Sequence, residues 1–403
     1  MFRKVLFWIH LATGIIAGLA IAVMCATGVI LSFEKQLIAW AESDARVIIS
    51  SETGAPRLTL SEMAHRVEAA RPNARVASIA LSANSAAAVA FTFGRDNAVY
   101  VNPYTGEVRT PNSTRMRVFM RAATEWHRWL ALSDDHRIVG KMINGIGNAA
   151  FCILAVSGLY LWMPRTWSWR GVRAIAVFNW RLVGKPRDFN WHNAIGLWSA
   201  PILIILTLTA LPMSFRWAND FVYQLAGESA PAQGSAASVG PAIEITKPAD
   251  DPRPLTQDAL LAITQARLPD WEEITFRLSS PRNRENAAPQ SAGLHTAPER
   301  RLNGPQPAVI TVKTSGAWPR TATTTLTLNP FTGDILRTEA FGDQTAGRRL
   351  RMWTRFLHTG EALGWPGQLL AGLVTLGGCF LVYTGFALSW RRFLRRSTSV
   401  PSA

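Results

Sequence analysis

Four stretches of the chain, residues 5–33, 142–163, 193–215 and 362–390, carry no Asp, Glu, Lys or Arg. Each is long enough to cross a hydrocarbon core, which needs about 20 apolar residues in a helix, so the pattern predicts four transmembrane helices. The first far exceeds the apolar core of a cleaved signal sequence, which runs to roughly 7–15 residues. Between the spans the pattern changes. A helical periodicity lies near 59–71, and alternation over Ala77–Leu81 and Val89–Phe93 predicts strands. Pro, Gly, Ala, Ser and charged residues dominate 228–254 and 281–306, which read as loops or mobile insertions.

Composition supports the membrane assignment: 48% of the residues are hydrophobic and only 17% are charged. The basic residues then set an orientation, because Lys and Arg are retained on the cytoplasmic side of short loops. Arg3 and Lys4 precede the first span. Arg165, Arg170, Arg173, Arg181, Lys185 and Arg187 fill the link between the second and third, and Arg391, Arg392, Arg395 and Arg396 follow the fourth. Both termini and the central link are therefore expected in the cytoplasm, with the two long segments outside. Retained basic flanks account for most of the net charge of +15, and nucleic acid need not be invoked. Cys25, Cys152 and Cys379 all fall inside spans with no metal-site spacing and read as small packing residues.

The chain also repeats itself. His10-Leu-Ala-Thr-Gly14, Thr27-Gly28 and Ser32-Phe33 in the first span match His192-Asn-Ala-Ile-Gly196, Thr209-Ala210 and Ser214-Phe215 in the third, at equal offsets. Asn102-Pro-Tyr-Thr-Gly-Glu-Val108 matches Asn329-Pro-Phe-Thr-Gly-Asp-Ile335, and each reads as a tight turn with Pro fixing φ and Gly supplying φ > 0. His127 and His358 follow in helix-like stretches. Gly140 and Gly367 then precede Ser157-Gly158 and Thr384-Gly385 by the same interval. Two copies of span, external domain, interfacial helix and span give parallel repeats about an axis along the membrane normal. The expected divisions are a first span to 33, an α+β domain over 34–116, a helix and second span over 117–163, and a basic link over 164–190. A third span over 191–216, a second α+β domain over 217–342, a helix and fourth span over 343–391 and a tail over 392–403 complete the chain.

Four of the seven histidines occupy matched places. His10 and His192 begin outward-running spans, and each lies 23 residues before Phe33 or Phe215. That distance is about 35 Å at about 1.5 Å per residue. His127 and His358 precede the returning spans, so one same-depth pair is expected near each membrane face. Haem iron takes axial ligands from the two sides of a flat macrocycle, and neutral imidazoles on neighbouring helices supply them. Gly14 and Gly196 share a helix face with the histidines one turn before them, where the missing side chain admits a porphyrin; close helix packing is the alternative use. Zinc is the competing ligand, but a histidine pair makes only half of its usual shell. Arg121 and Arg128 near His127, and Arg351 and Arg355 near His358, read either as partners for haem propionates or as headgroup anchors. Trp8, Trp126, Trp129, Trp162, Trp365 and Trp390 fall near span ends and read as an interfacial belt.

These H-x3-G spans, the Glu125-Trp-His-Arg-Trp-Leu130 and Phe356-Leu-His-Thr-Gly-Glu361 segments and the paired turns resemble the PepSY-associated transmembrane family over nearly the whole chain. The resemblance implies a bacterial inner-membrane protein with two external PepSY-like domains. For its FoxB-like branch it implies a ferric-siderophore reductase carrying two b-type haems, with His10, His192, His127 and His358 as axial ligands. About 13 residues follow the last span, so the expected electron donor is a membrane quinol or a separate reductase. The alternative is a regulatory or partner-binding membrane protein without redox activity; haem handling without electron transfer is a third reading.

Overall fold

The computed structural model describes residues 1–48, 56–94, 96–164, 167–232, 245, 253–278 and 305–393. The loop readings at 228–254 and 281–306 fall mostly outside these residues, and Arg165, Arg395 and Arg396 lie outside them. In chain order the helices are α1 (Phe2–Leu31), α2 (Glu34–Ala41), α3 (Ser43–Arg46), α4 (Leu60–Ala70), α5 (Arg115–Trp129), α6 (Arg137–Trp162), α7 (Trp169–Ala176), α8 (Gly184–Ser214), α9 (Arg216–Gln224), α10 (Gln257–Arg267), α11 (Ala346–His358) and α12 (Trp365–Phe393). The chain divides into two compact units. One is built from Met1–Glu34, Phe119–Ala230 and Ala346–Ala403, the other from Lys35–Val118 and Pro231–Thr345.

In the first unit α1, α6, α8 and α12 are long and apolar enough to cross a bilayer. They form a ring in which α1 packs against α6 and α12, and α8 packs against the same two, so that α1 faces α8 across the bundle. Ile21, Cys25, Phe151, Leu203 and Val374 are buried at its centre, while Ile16, Leu19, Leu208 and Leu373 point outward and are exposed, as a lipid solvent requires. Trp8, Trp126, Trp365 and Trp390 are likewise exposed. Small residues bring the helices together. A Cβ on Gly378 would lie 2.8 Å from Cys25 Sγ, and Cβ atoms on Gly145 and Gly372 would each come within 3.0 Å of the rings of Phe215 and Phe33. Cys25 and Cys379 lie within hydrogen-bonding reach of each other as free thiols.

α8 begins well before its charge-free stretch. Asp188 is buried near its start, where Arg391 of α12 pairs with it at 2.6 Å and Arg187 at 3.0 Å, so the helix carries a charge inside the bundle that the sequence pattern had put outside. Gly140 and Gly367 sit where α6 and α12 cross the ends of the preceding helices, and a Cβ on either would overlap a backbone carbonyl, that of Trp129 or of Gly360.

Among the described residues the second unit is one antiparallel sheet of eight strands, in the order β4 (Val108–Arg109), β3 (Ala98–Val101), β2 (Val89–Thr92), β1 (Ser78–Ser82), β5 (Trp271–Arg277), β6 (Ala308–Thr314), β7 (Thr324–Leu328) and β8 (Ile335–Glu339). Its two halves, from the two segments of the chain, join where Ile79 lies opposite Phe276 and Leu81 opposite Ile274. α4 and α10 cover one face over a core that includes Leu60, Met63, Phe91, Leu260, Ile310 and Leu326. Thr59 and Glu62 close a capping box on α4, and Asp258 of α10 accepts from the Leu60 N–H at 2.5 Å. The two matched turns have Gly106 at φ 74° and Gly333 at φ 77°, and the Asn102 and Asn329 carboxamide oxygens accept from Tyr104 N and Phe331 N at 2.9 Å.

Candidate cofactor site

The helical unit brings the four matched histidines together in twos. His127, near the end of α5, and His358, at the end of α11, face each other with ring centres 6.3 Å apart and planes inclined by 46°. His10 of α1 and His192 of α8 lie on the two facing helices, close enough for their charges to interact. The pairs are separated along the bundle. His127 touches α1 at Met24 and Thr27, and His358 touches α8 at Leu206, so about 20–25 Å of helix divides the levels at about 1.5 Å per residue. The His127–His358 pair thus sits below the ends of α1 and α8, one to two helical turns inside them.

Each imidazole is fixed through Nδ1. His10 Nδ1 lies 2.8 Å from Ser157 Oγ, and His192 Nδ1 lies 2.8 Å from Thr384 Oγ1. His127 Nδ1 lies 3.0 Å from Thr27 Oγ1 and 3.1 Å from the Met24 carbonyl; His358 Nδ1 lies 2.9 Å from the Leu206 carbonyl. A carbonyl only accepts, so the rings of His127 and His358 donate from Nδ1, and Nε2 keeps its lone pair. Removal from water pushes the His127 imidazole down to about 4, with the neighbouring His358 acting in the same direction. His358 is lowered by burial too. Both are therefore neutral at physiological pH, the form that ligates metal.

The glycines around the rings fall into two kinds. Gly28, Gly158 and Gly385 lie under the imidazoles: an added Cβ would stand 3.4, 3.2 and 3.7 Å from Cε1 of His127, His10 and His192. A Cβ on Gly14 would meet only Leu154 Cδ2 at 3.8 Å, and one on Gly196 only Leu381 Cδ2 at 3.7 Å. Both distances are ordinary van der Waals spacing to a leucine of the adjacent helix, so neither position requires glycine for the helices to pack.

The arginines are less uniform. Arg351 is directed at Asn219 Oδ1 (2.9 Å), Thr354 Oγ1 (3.2 Å) and the Pro212 carbonyl. Arg121 stands 3.9 Å from Glu125 on an exposed face. Arg128 lies over the Trp129 ring at 4.7 Å and close enough for its charge to be felt by His127, while Arg355 is exposed. Thr27, Ser157 and Thr384 were visible in the sequence only as marks of repetition. Their part in holding the rings was not legible, because a hydroxyl in an apolar helix gives no sign of which partner it meets.

The model of the PepSY-associated TM region matches residues 7–392. The chain belongs to this family. No curated protein matches the sequence. In the PepSY-associated chain described above, the match takes in both the helical and the sheet-bearing unit.

Proposed function

We propose that this PepSY-associated protein is a di-haem transmembrane oxidoreductase that carries electrons across a bacterial inner membrane and reduces ferric siderophores in the periplasm. The observation that carries the reading is the opposed pair His127 and His358. Their ring centres stand 6.3 Å apart, a separation that would leave room for a metal ion between two imidazoles acting as its ligands. With Nδ1 of each ring already engaged by the protein, Nε2 is the nitrogen left for a metal. Gly14 and Gly196 supply a second sign of fit, since each lies one turn from a histidine and neither needs to be glycine for its helix to pack, an added Cβ standing at ordinary contact distance from Leu154 or Leu381.

On this reading His10 and His192 hold one b-type haem near the cytoplasmic face, and His127 and His358 hold the other toward the periplasm. Bound haem supplies one-electron chemistry, its iron alternating between ferric and ferrous. The chain's own residues fix the ligands and exclude water: hydroxyls and carbonyls orient the imidazoles, and the buried layer of Ile21, Cys25, Phe151 and Leu203 fills the bundle between the two levels. Arg128 and Arg355 are the proposed partners for propionates at the periplasmic site. One electron reduces one ferric ion, which weakens its hold on hard oxygen ligands and lets the chelate release it. The donor is a membrane quinol or a separate reductase.

Matched contacts support two parallel repeats. His127 and His358 use carbonyls at equivalent positions, Met24 and Leu206, and Gly145 and Gly372 meet the equivalent Phe215 and Phe33. A visible spectrum and pyridine haemochrome of the purified protein test the core of the proposal, with an expected ratio of about two haems per chain. His10→Ala or His192→Ala should remove one haem and His127→Ala or His358→Ala the other. A colourless protein would reject the proposal in favour of the partner-binding reading, and loss of one haem common to His10→Ala and His127→Ala would reject the pairing.

A further inference from the structure

Three hydroxyls near the histidines share an arrangement that the di-haem reading does not itself require. Ser157 Oγ donates to the Ile153 carbonyl one turn back at 2.6 Å, Thr384 Oγ1 to Phe380 at 2.7 Å, and Thr27 Oγ1 to Val23 at 2.6 Å. Such back-bonding is ordinary for Ser and Thr in an apolar helix. Its consequence here is chemical. A hydroxyl has one proton, and with that proton committed to a carbonyl the oxygen can only accept from the imidazole facing it.

We infer that Ser157 and Thr384 are positioning residues that hold His10 and His192 with the proton on Nδ1 and the lone pair on Nε2, and that Ser157 sets the redox poise of its site. The inference rests on the di-haem reading for its redox part alone. A ligand imidazole that donates its second N–H to an acceptor becomes a more basic ligand. A more basic ligand favours the higher charge on iron, so removing the acceptor should raise the reduction potential. The three hydroxyls differ in what replaces them. The Met24 carbonyl already accepts from His127 at 3.1 Å, so Thr27 has a backbone substitute. The Leu381 carbonyl lies near His192, so Thr384 has a partial one. His10 turns its Nδ1 to Ser157, and Ser157 carries that ring's hydrogen bond. Side-chain control of the potential therefore belongs to the His10–His192 site, whereas peptide carbonyls, which no side-chain substitution removes, hold the His127–His358 site.

Two measurements test this. In haem-free protein labelled with 15N-histidine, solid-state NMR should give His10 and His192 protonated at Nδ1. Ser157→Ala should abolish that preference at His10 and leave His192 unchanged. Protonation at Nε2 in the unsubstituted protein overturns the inference, whatever the haem content. In haem-loaded protein, redox titration should shift the midpoint of the His10–His192 haem upward, most in Ser157→Ala and less in Thr384→Ala. Thr27→Ala should leave the other midpoint in place, and Ser157→Thr and Thr384→Ser should restore the original values. Equal shifts in all three alanine variants, or a shift that the conservative variants fail to reverse, would mean that the hydroxyls merely pack. Absence of haem from the unsubstituted protein would reject the proposed function, and the NMR result would still decide the tautomer.

Discussion

A leucine at Gly14 would start from a Cβ whose single close neighbour is Leu154 Cδ2 at 3.8 Å, whereas a leucine at Gly378 would start 2.8 Å from Cys25 Sγ. The two glycines therefore respond to different pressures. Overpacking a tight contact costs about 1–3 kcal/mol, so Gly378→Leu should lower the thermal stability of the detergent-solubilised protein with or without haem. Gly14→Leu and Gly196→Leu should leave the haem-free protein as stable as the original and lower the haem it retains, because the new side chain occupies the helix face one turn from the histidine. Haem content by pyridine haemochrome and unfolding of the haem-free protein separate the outcomes. Full haem occupancy in stable Gly14→Leu and Gly196→Leu variants would assign these glycines another role.

At the scale of elements, the histidines of α5 and α11 depend on the corners that follow them. Gly140 and Gly367 let α6 and α12 cross the Trp129 and Gly360 carbonyls, and Asn144 of α6 donates to the His127 carbonyl at 2.7 Å. A β-branched side chain at either glycine would push the crossing helix away and displace the ring it fixes. Gly140→Val and Gly367→Val should therefore lose the haem of the His127–His358 site and keep the other, as read by haemochrome and by the number of redox transitions; loss of both haems together would show that the corner is needed for the whole bundle. These corners also mark how far the sequence could be read. The four spans were legible because charge-free runs of that length have few other uses, and the turns at Asn102 and Asn329 were legible because Pro and Gly restrict φ. Helix ends were not. α8 runs through Lys185, Arg187 and Asp188 because Arg391, distant in sequence, neutralises a buried carboxylate. The join of β1 to β5 pairs residues near 80 with residues near 275, a contact fixed by tertiary structure that no local pattern reports.

For the whole molecule the question is which way electrons run. On the proposed orientation the ends of the bundle carrying His10 and His192 lie toward the cytoplasm, and a periplasmic ferric chelate is reduced from the side of the His127–His358 site. An inside-negative membrane potential favours electron movement toward that side, by about 2.3 kcal/mol per charge per 100 mV for a full crossing. Reduced protein in sealed, oriented vesicles should therefore be reoxidised by an impermeant ferric chelate added to the periplasmic face, and faster when an inside-negative potential is imposed. His127→Ala and His358→Ala proteins that retain the cytoplasmic-side haem should lose this reaction. Anaerobic stopped-flow absorbance follows it directly. Reoxidation only from the cytoplasmic face, or at an undiminished rate without the His127–His358 haem, would reverse the proposed direction.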